Sequence, residues 1–293
     1  MRFAITGVDR SLSVFDALLA AGWRPVKLFT VPPSPVTNLN RAIIERAVGL
    51  DTPVQLSRMD EADLADLGAR GCDVLVCASY NWRIGDWRPH MPFAVNFHAS
   101  PLPEARGPYP AFRAILEART AWGVTCHKLE PGFDAGDILD AETFPLGAAE
   151  CHDTLDLKTQ MTAGRLAARV AADLPGLWAR ARPQGRGSYW KLTGDAERTL
   201  DFTAPVEAIL RRVRAFGLTE TIAHVSGKTV YVRRAVGWTE AHGHAPGSVV
   251  HVDGRRSVIA AGDGYIGLIE WSPIPLAANE AVGRDPSPPG ASL

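Results

Sequence analysis

The sequence carries no excess of either charge. Its 31 lysines and arginines are balanced by 32 acidic residues, leaving a net charge of -1. No long-range positive field is available to draw in nucleic acid, and such a partner would need a local basic patch. No apolar run approaches the roughly 18 residues needed to cross a bilayer. The opening MRFAITG also lacks the charged and apolar segments of a secretory signal. A cytoplasmic protein with no membrane partner is therefore expected. Cysteine is scarce. Cys72, Cys77, Cys126 and Cys151 fall in neither CxxC nor zinc-ribbon spacing, so reduced, buried thiols are expected rather than a disulfide framework. The GVDRS turn after the first apolar run has no G-x-G-x-x-G, which leaves a dinucleotide site without support. His242 and His244 form an H-x-H pair in a loop, but no third or fourth ligand accompanies them and no metal is expected.

What is present is concentrated between residues 96 and 139. There NFHASPLPEARGPYP is followed by GVTCHKLEPGFDAGDIL. Asn96 and His98 lie two apart at the end of an apolar run, and residues i and i+2 of a strand face the same way. Their side chains are expected in one pocket, with Asp134 arriving from the GFDAGD turn. An amide, an imidazole and a carboxylate suit acyl transfer. The amide and imidazole can hold a developing oxyanion, and the imidazole and carboxylate can move a proton. Without the rest of the pattern, Asn96 and His98 would equally read as a strand-end cap and Asp134 as an Asx turn. Arg106 either holds an anionic group of a substrate or pairs with Glu104 to brace its loop. Ser100 reads as a substrate-side residue or a loop brace, since no separate His–Asp pair is evident to activate it.

The two blocks together resemble the folate-dependent formyltransferase family, which carries N-x-H-x-S-x-L-P followed some forty residues later by a G-x-T strand and a D-x-G turn. The matching residues are Asn96, His98, Ser100, Leu102, Pro103, Arg106, Gly107, Gly123, Thr125, Asp134 and Gly136. The resemblance extends loosely over residues 1 to 275. It implies that Asn96, His98 and Asp134 are catalytic and that the formyl donor is 10-formyltetrahydrofolate, with no metal. It also places the pterin beside the ASYNWRIG loop, where Tyr80, Trp82, Arg83 and Ile84, with Leu102, Glu130 and Phe133, become candidate walls. Trp82 alone reads as readily as a packed surface aromatic. Family members formylate methionyl-tRNA, nucleotide-linked amino sugars or hydroxyornithine.

Apolar runs at 2–7, 25–31, 54–56, 72–77 and 93–97 alternate with helical spacing at 11–22, from Asn38 or Asn40 through Val48, and at 61–69. Strands separated by helices indicate βαβ units and an open, Rossmann-like α/β sheet, whose ligands bind beyond the carboxyl ends of the strands. Further strands are expected at 122–130 and 138–144, then a long helix over 153–182 with Pro175 as an interruption. The catalytic domain is thus placed at 1–182 and a Pro/Gly linker, open to proteolysis, at 183–195. A helix at 205–216 and five short strands then read as a small β domain at 196–280. The resemblance makes this an OB-like barrel. The tail, 281–293, reads as disordered.

The acceptor is approached through charge. The family's tRNA-directed members carry an extra basic loop after the second strand, but TVPPSPVTNLN, residues 30–40, has no Lys or Arg. Residues 186–293 hold 12 basic and 11 acidic residues, no match for a tRNA backbone. A small-molecule amine or hydroxylamine is expected, with methionyl-tRNA formyltransferase as the alternative. RAFGLTE, 214–220, lacks the aromatic-Pro-Gly segment expected of the sugar branch, and Asn81–Arg83 echo the hydroxyornithine branch. Water as acceptor, making a formyltetrahydrofolate hydrolase, stays open. Oligomeric state is not legible.

Overall fold

A computed structural model describes residues 1–32 and 39–276. Asn38, most of the 30–40 loop and the tail fall outside the described residues. The first half runs β1 (Arg2–Thr6), α1 (Leu12–Ala20), β2 (Arg24–Phe29), α2 (Arg41–Val48), β3 (Val54–Gln55), α3 (Glu61–Ala69), β4 (Val74–Cys77), β5 (Phe93–His98), α4 (Ala111–Leu116), β6 (Ala121–Lys128), β7 (Ile138–Pro145), α5 (His152–Ala172) and α6 (Leu174–Ala179). Its seven strands form one sheet in the order β3-β2-β1-β4-β5-β6-β7. The strands from β3 to β5 are parallel, and β6 and β7 are antiparallel additions. This is the open α/β sheet expected.

Successive residues of β4 point to opposite faces. Val74 and Val76 join the layer under α1 and α5 with Phe3, Ile5, Phe15 and Leu166. Leu75 enters the other layer with Ala4, Leu64, Leu67 and Trp87. Each large side chain taken out of water this way contributes roughly 1.5–3 kcal/mol. An almost wholly apolar strand is thus the signature of a sheet covered on both faces. Helix α3 begins at a capping box in which Asp60 accepts from the Asp63 N–H at 3.0 Å and Asp63 returns the bond at 3.1 Å. At α2 the N-cap is Asn40, but its side chain donates to the Val31 carbonyl at 2.7 Å instead of capping. Pro175 sits in the first turn of α6, so the long helix divides there.

The second half contains α7 (Asp195–Arg198), α8 (Val206–Phe216), β8 (Thr221–Val225), β9 (Lys228–Thr239), β10 (Val249–Val252), β11 (Ser257–Ala260) and β12 (Gly264–Ser272). Its five strands form an antiparallel sheet in the order β10-β11-β12-β9-β8 around α8. Among the described residues no ladder joins β8 to β10, so the barrel expected from sequence stands here as a five-stranded sheet packed on one helix.

Two features depart from expectation. Helix α4, unmarked in the sequence reading, joins the halves: Phe112 stacks on Phe216 of α8 at 5.0 Å, inside an apolar layer with Trp122, Leu155 and Trp190. The segment at 183–190 is not a free linker. Its backbone exchanges hydrogen bonds with the 103–106 loop, from Ser188 N to Pro103 O, Arg106 N to Ser188 O and Trp190 N to Arg106 O, at 3.2, 3.0 and 2.7 Å. Gly187 lies so close to Pro103 that a Cβ there would sit 2.0 Å from its carbonyl oxygen. The segment is a strap pinned across the carboxyl end of the sheet.

Candidate active site

Strand β5 ends at His98, and β6 runs antiparallel beside it. Asn96 is paired with His127 and His98 with Thr125. Directly opposed residues of such a pair share a face, so one patch holds all four side chains. The chain then turns through Ser100–Gly107, held by a short network. The Thr125 hydroxyl donates to Ser100 O at 2.8 Å and accepts from Leu102 N at 3.0 Å, while the Ser100 hydroxyl donates to Glu104 O at 2.8 Å. The Leu102–Pro103 peptide is cis.

Asp134 comes from the turn between β6 and β7 and sits at φ 51°, a left-handed conformation that costs a non-glycine residue roughly 1–2 kcal/mol. The turn is held from several sides. Gly107 N–H donates to Asp134 Oδ2 at 2.9 Å, and the Gln184 amide donates to the carbonyls of Asp134 and Gly136 at 2.7 and 2.6 Å. The other carboxylate oxygen, Oδ1, faces Asn96 Nδ2 at 3.1 Å and His98 Nδ1 at 3.3 Å. The three residues picked out by sequence are thus one contact cluster, with the His98 side chain 10% and that of Asp134 13% exposed.

Hydrogen-bonding partners place one proton of His98. His98 Nε2 lies 3.0 Å from the Ala105 carbonyl, so it carries the proton. In the neutral ring Nδ1 is then the basic nitrogen, next to the carboxylate. Burial pushes His98 below its ordinary range, against the opposing pull of Asp134. Burial also pushes the Asp134 carboxyl up, but the neighbouring imidazoles and the Gly107 N–H outweigh it and hold the group at about 2. Burial thus favours the neutral imidazole, beside a carboxylate that stays ionised. That arrangement accepts a proton and stabilises the imidazolium it makes.

His127 was not anticipated. It is 1% exposed, and its Nδ1 donates to the Lys128 carbonyl at 2.7 Å, leaving Nε2 as an acceptor 3.0 Å from Asn96 Nδ2. With an acceptor-only carboxylate on the other side, the Asn96 amide has one possible orientation, NH2 inward. The signal for His127 is its place opposite Asn96, which needs the strand register and cannot be read from one chain.

The other expected residues divide. Arg83 and Phe133 meet at the mouth, the guanidinium 4.5 Å from the ring centroid, with Phe133 46% exposed. Tyr80 accepts from Met59 N at 2.7 Å and packs edge-on against Trp82 at 5.2 Å. Ile84 is half-buried against the same layer, and Leu102 is buried. Glu130 is ion-paired with Arg88. A cavity of about 350 Å³ opens behind the loop, lined by Arg58, Met59, Asp60, Glu61, Arg83 and Gly85 and by none of the triad. Ser100 is fully buried, which makes it a loop brace and removes it from the substrate-facing residues. Arg106 does not pair with Glu104. Its Nε donates to Gln184 Oε1 at 2.9 Å and its terminal nitrogen to Gly185 O at 3.1 Å. Tyr189 of the strap, 46% exposed, stands in the field of Asp134 and Arg83. His242 has both ring nitrogens engaged, with Ala261 O, Gly264 O and His244 N, so it presents no free nitrogen to a metal beside His244. The described cysteines are all free thiols, with Cys72 and Cys126 buried and Cys77 and Cys151 half-buried.

Comparison with known proteins agrees with this geometry. A family profile described as formyl transferase matches residues 32–170, and one described as formyl transferase, C-terminal domain, matches 194–279. The chain belongs to the formyl transferase family. A methionyl-tRNA formyltransferase from Bordetella parapertussis is 33% identical, over 92% of this chain and 94% of its own. One from Ruegeria pomeroyi is 29% identical over 96% and 95%. An N-formyltransferase of Helicobacter canadensis, solved with folinic acid and dTDP-3-aminofucose, shares the fold at TM-score 0.68 and 15% identity, over 92% of this chain and 99% of that one. HypX from Aquifex aeolicus with tetrahydrofolic acid superposes at TM-score 0.64 and 20% identity, over 92% of this transferase and 43% of that chain. No helix of the described residues is long and apolar enough to cross a membrane.

Proposed function

We propose that this formyl transferase moves the formyl group of 10-formyltetrahydrofolate to the amine or hydroxylamine nitrogen of a small acceptor. The observation that carries the reading is His98 Nδ1 held 3.3 Å from the Asp134 carboxylate, with the Asn96 amide 3.1 Å from the same oxygen. The acceptor nitrogen attacks the formyl carbon, a C–N bond forms and the carbonyl electrons move to oxygen. His98 Nδ1 takes the proton from the attacking nitrogen and Asp134 stabilises the imidazolium. Asn96 supplies the oxyanion donor. Its bond to the carboxylate is charge-assisted and its bond to His127 is neutral, so the hydrogen on the His127 side is the one more readily shared with the oxyanion. Such a donor is worth roughly 3–4 kcal/mol in rate. Collapse breaks the bond to the folate nitrogen, which leaves with the proton from His98. Arg83, Phe133, Leu102 and the Tyr80–Ile84 loop form the donor side.

A small acceptor is supported by the second domain. Arg198, Arg211, Arg214, Arg233, Arg234 and Arg256 each face a carboxylate of their own domain. A phosphate backbone would have to compete with those partners. The second reading, transfer to methionyl-tRNA, is favoured by the curated relatives, which match over both domains. The test is turnover of 10-formyltetrahydrofolate with amino-sugar nucleotides, N-hydroxyornithine and methionyl-tRNA at moderate salt, with formate release measured without acceptor. Transfer to a small amine with little salt dependence is expected. Efficient transfer to tRNA, with affinity falling steeply with salt, would establish the second reading instead.

A further inference from the structure

We propose that Gln184, in the strap between the domains, is a positioning residue for the catalytic carboxylate. Its amide is the junction of three segments. Nε2 donates to the Asp134 and Gly136 carbonyls at 2.7 and 2.6 Å, and Oε1 accepts from Arg106 Nε at 2.9 Å. Two carbonyl acceptors on one side and a guanidinium donor on the other leave the amide one orientation. The ring closes through the residue after Arg106, since Gly107 N–H holds Asp134 Oδ2 at 2.9 Å. The turn has no slack elsewhere: a Cβ on Gly136 would lie 1.9 Å from the Lys128 carbonyl oxygen, and Asp134 is at φ 51°. A left-handed aspartate persists where its surroundings over-determine it, and Gln184 supplies two of the bonds that do so. Arg106, matched by the family pattern, therefore acts through Gln184 on the Asp134 turn.

The role rests on the triad reading above, so the test includes a readout independent of turnover. The full-length protein is compared with Gln184→Ala and Gln184→Met, the second keeping length without hydrogen bonds. The His98 ring, which faces Asp134 and His127, is titrated by NMR, and kcat and the KM for 10-formyltetrahydrofolate are measured. Asp134 supports the protonated form of His98, so a receding carboxylate lowers the His98 midpoint further. The expected result is a lower midpoint, a kcat reduced at least about tenfold and KM within about twofold. Arg106→Ala should add little on top of Gln184→Ala, because the two act in one chain. An unmoved midpoint in both variants overturns the proposal, as does a kcat within twofold of the parent. A lowered midpoint in a protein that formylates no amine leaves the positioning role standing and removes the transfer reading.

Discussion

At the residue scale four side chains meet: Asn96, His98, His127 and Asp134. Asn96→Ala, His98→Ala and Asp134→Ala should each lower turnover by at least about 10²-fold while folate affinity stays within a few-fold. Parallel rate and equilibrium-binding measurements check this, and comparable losses in both would make the residues structural. The pH dependence follows from His98. Burial lowers its midpoint below the ordinary value of about 6.5, and the neutral ring is the proposed base. The acid limb of kcat/KM should therefore lie below pH 6.5, and a limb above it would contradict a neutral resting imidazole. Stability follows the same direction. The unfolded chain takes up this proton near pH 6.5 and the folded one only at lower pH, so the contribution is present above 6.5 and lost as pH falls through the folded midpoint. Asp134, at about 2, stays ionised across that window. The triad was legible because both of its blocks lie in motifs of fixed spacing. His127 was not, because it reaches Asn96 across two antiparallel strands whose register depends on the whole sheet.

At the element scale, sequence and structure agree where periodicity and punctuation are strong. The CDVLVC run became β4, buried on both faces, and the 61–69 helix kept both of its ends, one fixed by the Asp60 capping box. Replacing Asp60 with Ala should cost about 1 kcal/mol of stability, read from a denaturant midpoint, with catalysis unchanged. Helix α4 escaped because its six residues follow a loop rich in proline and glycine and carry little periodicity of their own. What makes it a helix is burial of Phe112 and Ile115 against the second domain. The turn bearing Asp134 gives a sharper test. Gly136→Ala places a methyl carbon against the Lys128 backbone, which cannot yield as a flexible side chain would. Turnover should fall at least as far as in Asp134→Ala, and near-normal turnover would show that the turn is not rigid.

At the scale of the whole molecule, the element pattern gave two domains and the Pro/Gly content a linker at 183–195, part of which is hydrogen-bonded to the 103–106 loop. Pro183, Gly185 and Gly187 read as loose chain, yet the glycine that suggests flexibility is the one that allows close approach to Pro103. Limited proteolysis of the native protein should leave residues 183–190 uncut, since backbone held in hydrogen bonds resists nicking. Early cleavage there would mean that the strap opens in solution. The two halves share the Phe112–Phe216 layer, and the strap crosses the catalytic loops, so the second domain is built into the site's support. The most direct test of the central claim is consumption of 10-formyltetrahydrofolate by parent enzyme and His98→Ala, each with its best small amine. The account predicts acceptor-dependent appearance of tetrahydrofolate and N-formyl product in equal amounts from the parent, and a rate at least about 10²-fold lower in the variant. Equal rates in the two proteins would contradict it.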